Sequence, residues 1–172
     1  MPYTDLLRVA VLLTGAEATA LGAITALAVA RDNDGTTLTV AAVWWLLAAA
    51  IGFFLGRPSR AADGVRNALA AARTATSLPA ETPAKISFAR LWPVGLTAVG
   101  AGALGVFFPG VAAIAAGYAL LVSLAWHTRE AAVLAIEQRD GVKFYVVPNS
   151  AFRPIQLVRA PGLRSDRLGA SP

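Results

Sequence analysis

The chain alternates long apolar blocks with short stretches that gather most of its charges. From Leu6 to Ala30 the only charged residues are Arg8 and Glu17, and from Leu38 to Gly56 there is none. The block from Leu91 to Trp126 is also free of charge. As one helix that block would be about 54 Å long at 1.5 Å per residue, well beyond a hydrocarbon core of roughly 30 Å. It must fold back, and Phe108-Pro109-Gly110 at its midpoint supplies the turn. The pattern predicts an all-α integral membrane protein, a four-helix transmembrane bundle with spans at 6–30, 38–56, 91–108 and 110–127. Spans three and four form a tight hairpin. The basic segment 57–90 is a cytoplasmic loop, so 1–127 is the membrane domain and 128–172 a cytoplasmic tail.

Composition agrees with this pattern. Of 172 residues, 56% are hydrophobic and 15% charged, against about 25% charged in ordinary soluble domains. The mean hydropathy is +0.59. The net charge is +5, and its placement sets orientation. Arg57, Arg60, Arg66, Arg73, Lys85 and Arg90 lie between spans two and three; Arg129, Arg139, Lys143, Arg153, Arg159, Arg164 and Arg167 follow span four. The loop after span one has only Arg31, beside Asp32 and Asp34. The positive-inside rule then puts both termini in the cytoplasm of a bacterial inner membrane. Trp92 and Trp126, with Arg90 and Arg129 beside them, fall at the membrane interface. Ala18-Thr19-Ala20 fits a signal-peptidase pattern, but Asp5 cancels Arg8 and the apolar run continues to Ala30, so 6–30 reads as a retained span. The basic excess sits beside apolar spans and lacks any basic-aromatic module, which argues for the lipid bilayer as partner and against nucleic acid.

Helices in lipid associate through close packing, and small residues mark the contacts. Span one repeats a small residue every fourth position, at Ala10, Thr14, Ala18, Gly22 and Ala26. Ala98 with Gly102, Ala101 with Gly105, and Ala113 with Gly117 continue the theme. Adjacent Trp44 and Trp45 read as outer-leaflet anchors. In the loop, residues 60–76 read as a short helix on the inner membrane surface, with Arg66 and Arg73 on one polar side, and 78–84 as a Pro-containing linker. Span four continues into the tail, with Gly141 as a helix stop. Residues 142–147 then read as a strand, and 155–158 as its return. A rival puts a hairpin turn at Asp140-Gly141, but Glu130 to Gln138 is rich in helix formers.

Chemistry is sparse. With no cysteine there is no disulfide, thiol nucleophile or cysteine-bound metal. No phosphate-binding glycine loop, HExxH or GxSxG occurs. Asp63-Gly64-Val65-Arg66 matches only the opening of the CDP-alcohol phosphotransferase signature, without its later aspartates. His127 is the only histidine and reads as an interfacial anchor. The expectation is a protein that is not an enzyme and carries no cofactor or metal.

Glu17 is the exception. An ionised residue at a helix centre costs about 2.5–3.5 kcal/mol to insert. Span one holds six Leu, three Val and one Ile, which together supply roughly −3 to −6 kcal/mol. Insertion therefore tolerates the acid. Thr14 lies one turn away on the same face, and Thr97 in span three is a cross-helix candidate. Glu17, Thr14 and Thr97 form the expected intramembrane polar site, with no Lys, Arg or His at that depth. Three roles fit: a hydrogen bond between helices, a contact to a partner subunit, or part of a proton or cation path.

The tail IEQRDGVKFYVVPNSAFRPIQLVRAPG resembles the ends of small uncharacterised four-span membrane proteins of actinobacteria, most strongly over residues 90–165. That resemblance brings no activity or site residue. The plan of two spans, a basic loop and a Trp-Pro-led hairpin is also similar to small accessory subunits of actinobacterial cytochrome oxidase. The leading expectation is a scaffold, assembly or accessory subunit of a larger membrane complex, with a membrane-protein partner or self-association. The alternative is a small transporter or channel using Glu17.

Overall fold

The computed structural model describes residues 1–56, 69, 72–74, 82–149, 151, 153 and 155–161. Four helices are long and apolar enough to cross a membrane: α1 (Tyr3–Asp32), α2 (Gly35–Leu55), α3 (Pro83–Phe107) and α4 (Pro109–Asp140). A small sheet, in the order β1-β3-β2, combines β1 (Arg73–Thr74), β2 (Val142–Val146) and β3 (Leu157–Pro161).

Both tight connections have a local cause. Asn33 takes the left-handed conformation at φ 51° and donates its N–H to Val29 O, a position Asn tolerates better than most residues. Asp34 follows as the N-cap of α2, accepting the Thr36 and Thr37 N–H groups at 3.1 Å each. Its other oxygen accepts from the Thr37 hydroxyl. Phe108 serves as the C-cap of α3 and the N-cap of α4, and Pro109 begins α4 where its missing N–H costs nothing. Helix α3 starts at Pro83 rather than near 91. Proline at the first turn opens a helix, so the end of the expected linker belongs to α3. Helix α4 runs on to Asp140, and Gly141 at φ 62° caps it.

Helix α4 is the hub of the bundle. It packs along α1, α2 and α3, α3 also leans on α1, and α1 and α2 touch each other little. The line from Ala10 to Ala26 does not bury as one ladder. Ala10 and Thr14 are buried, Ala18 and Gly22 half-buried, and Ala26 exposed. Steps of four residues turn 400° and so drift about 40° each time. The buried line runs instead through Tyr3, Leu7, Ala10, Thr14, Leu21 and Thr25.

At the end carrying Met1 the helix ends and the sheet share one core. Phe144, Val146 and Leu157 pack with Leu6, Leu7, Leu69, Ile86, Leu91 and Val133. Strands β2 and β3 are antiparallel, with Phe144 opposite Arg159 and Val146 opposite Leu157. The return strand therefore begins two residues later than expected, which puts Leu157 into the core. The chain start covers the other edge of β2: Pro2 bridges Tyr145, and Val146 N donates to Met1 O at 3.0 Å. β1 lies parallel to β3, so Arg73 belongs to a strand and not to the expected surface helix over 60–76. Residues 60–68 of that expected helix, Arg66 among them, lie outside the described residues, as do 78–81 of the linker.

Candidate functional site

Glu17 sits near the middle of α1 and is half-buried. At 100° per residue it falls on the face that also carries Leu13, Leu21 and Ile24. That face meets α3: a β-carbon at Gly102 would lie 3.5 Å from Ile24 Cδ1 and 3.7 Å from Leu21 Cδ2. Leu13 also lines a groove against Gly95 and Val99. The three expected polar residues do not join. Thr14 is buried and donates its hydroxyl to Ala10 O at 2.9 Å within its own helix. Thr97 is exposed and donates to Val94 O at 2.8 Å. It stands five residues from Gly102, hence about 140° round α3 from the α1-facing side. Glu17 itself makes no hydrogen bond or ion pair among the described residues. The side of α3 that faces it carries small residues, with Ala98 between Gly95 and Gly102.

Trp44 and Trp45 both bond to α4. Trp45 donates its indole N–H to Ala113 O at 2.8 Å, and Trp44 donates to Ile114 O at 3.2 Å. Both rings are half-buried against α4. Trp44 lies over buried Gly117, where a β-carbon would overlap its indole nitrogen, and meets Tyr118 edge-on at 5.3 Å. Further along the α2–α4 contact, a β-carbon at Gly52 would lie 2.9 Å from Leu121 O, and one at Gly56 2.7 Å from Thr128 Oγ1. These two glycines are absent from the expected packing set. The signal was present: Gly52-Phe53-Phe54-Leu55-Gly56 is a G-x-x-x-G motif inside an apolar block. Gly105 makes the α3–α4 contact, with a hypothetical β-carbon 2.5 Å from Ala112 Cβ.

At the Met1 end, Arg8 of α1 pairs with Glu130 of α4 at 3.0 Å. Arg90 of α3 donates from Nη1 to Arg153 O at 2.7 Å and to Ala151 O at 3.4 Å, tying the β2–β3 loop to the bundle. Arg90, Arg129 and Trp126 line one cleft there, while Trp92 is largely exposed on α3. Glu137 accepts the Phe144 N–H at 3.0 Å and fixes β2 to the end of α4. His127 is exposed. Among the described residues no three of His, Asp and Glu converge as metal ligands. Outside the spans, the Thr37 hydroxyl and then the Thr37 and Thr36 N–H groups hold Asp34 below the usual carboxylate range. No protein-family model matches the chain, and no curated protein or solved structure matches it.

Proposed function

We propose that this protein is a non-enzymatic scaffold or accessory subunit of a larger complex in a bacterial inner membrane. The observation that carries the reading is Glu17, a half-buried acid at mid-helix without a hydrogen-bond or ion-pair partner among the described residues. Such a group is costly at the bilayer centre, and a donor from a neighbouring chain offsets that cost. The four apolar helices support a multi-pass membrane protein. The gathering of Arg90, Arg129, Lys143 and Arg153 at the Met1 end supports cytoplasmic termini.

Purification of the full chain from its native membrane in mild detergent tests the role. The expected result is a membrane protein recovered at fixed stoichiometry with the wild type and lost from Glu17→Ala. A partner-free monomer from wild-type membranes would sink the proposal. The transport alternative predicts a flux in reconstituted liposomes that vanishes in Glu17→Gln. One groove between α1, α2 and α4 gives that alternative little support, since Gly15, Ala18, Thr19, Gly22, Trp45 and Ala116 line it and Glu17 does not.

A further inference from the structure

At the Met1 end, α1, α3, α4 and the β2–β3 loop enclose a cleft of about 310 Å³. Arg90, Arg129 and Arg153 line it together with Tyr3, and among the described residues no carboxylate does. Arg90 is held by the loop carbonyls of Ala151 and Arg153, so its position is set before any ligand arrives. The floor is apolar, with Leu7, Leu91 and Trp126.

Leu91 also lines a second, almost wholly apolar groove between α1 and α3, with Val9 and Leu13 on one side and Ser87, Gly95 and Val99 on the other. From Ser87 to Val99 this groove runs about 18 Å at helical rise, close to the roughly 15 Å hydrocarbon depth of one leaflet. The cationic cleft and the apolar groove thus share Leu91, and the groove extends about 12 Å beyond it to Val99. Three arginines line the cleft, and a phosphate takes charge-assisted hydrogen bonds from arginine. A basic pocket between helices at a membrane surface suits an anionic headgroup.

We propose that this composite site binds one anionic phospholipid, its phosphate in the arginine cleft and one acyl chain in the α1–α3 groove. The proposal rests on the four-span reading and not on the accessory role. Release of the chain by alkaline carbonate extraction would overturn the spans themselves, a separate result from any lipid measurement.

The test uses the full chain in detergent, with bound lipid read by native mass spectrometry during titration. The probes are phosphatidylglycerol, phosphatidylcholine and inorganic phosphate. Phosphatidylglycerol is expected to stay bound and phosphatidylcholine to dissociate. Arg129→Gln and Arg153→Gln, both at exposed side chains, should each weaken retention about fivefold or more. Arg159→Gln removes the same charge outside the cleft and should leave it unchanged. Gly95→Leu places a side chain in the groove, where a β-carbon meets nothing within 4 Å, and should weaken lipid binding without altering charge. Equal retention of phosphatidylcholine, or equal loss in Arg159→Gln, would overturn the proposal. So would inorganic phosphate displacing the lipid with the same arginine dependence, which would mark a free-phosphate site.

Discussion

At Gly52, α2 approaches α4 through main-chain atoms. A β-carbon there would stand 2.9 Å from Leu121 O, 3.1 Å from Leu121 Cα and 3.1 Å from Leu124 Cβ. Main-chain atoms of a regular helix cannot swing aside, so Gly52→Ala forces the two helices apart. Overpacking of this kind costs about 1–3 kcal/mol. Alanine returns about 1 kcal/mol of helix propensity, which leaves a net loss of roughly 0–2 kcal/mol. Gly95 and Gly100 provide the control. A β-carbon at either meets nothing within 4 Å, so alanine there keeps the propensity gain and stabilises by up to about 1 kcal/mol. Propensity cancels between the two kinds of variant, and the remaining gap of about 1–3 kcal/mol measures the helix contact alone. Reversible unfolding in mixed micelles, driven by added dodecyl sulfate and followed by circular dichroism, reads that gap. A Gly52→Ala protein as stable as Gly95→Ala would refute the claim that α2 and α4 meet through this glycine.

Other outcomes follow from the same geometry. Trp45→Phe removes the 2.8 Å bond to Ala113 O and should cost about 0.6–1.7 kcal/mol in the same assay; no change would show that the indole N–H does not join the helices. Phe144 is 3% exposed in the core beneath the sheet, so Phe144→Ala should cost about 3–5 kcal/mol and open residues 141–161 to limited proteolysis while the four long helices stay protected. Asp34 has a depressed folded pKa. Its stabilisation is therefore present above the unfolded value of about 3.9 and is lost as the pH falls through the folded value. Melting temperature in detergent should drop over that acid range, and Asp34→Asn should remove that part of the slope; an unchanged slope would count against the cap.

Much of the architecture was legible because it rests on local chemistry. Apolar blocks mark the four helices long and apolar enough to cross a membrane, Pro109 and Gly141 punctuate the backbone, and the β-branched run at 142–147 marks a strand. The small residues were legible as a class but not by face. Ala10 and Gly117 are buried, whereas Ala26 is exposed, because a four-residue repeat drifts around a helix and only the neighbours decide which step counts. Gly52 and Gly56 carried a readable motif, yet which helix they meet depends on α4 being the hub.

The candidate sites divide the same way. The sequence by itself determined that an acid lies in the middle of an apolar block and that basic residues gather beside such blocks, because composition and hydropathy are properties of single segments. Only the tertiary structure decided that Thr97 turns away from Glu17. It also decided that Tyr3, Arg90, Arg129 and Arg153, drawn from three helices and a loop, line one cleft. Their separation along the chain carries no trace of that meeting, which depends on the angles at which helices cross and on a sheet that folds back onto their ends.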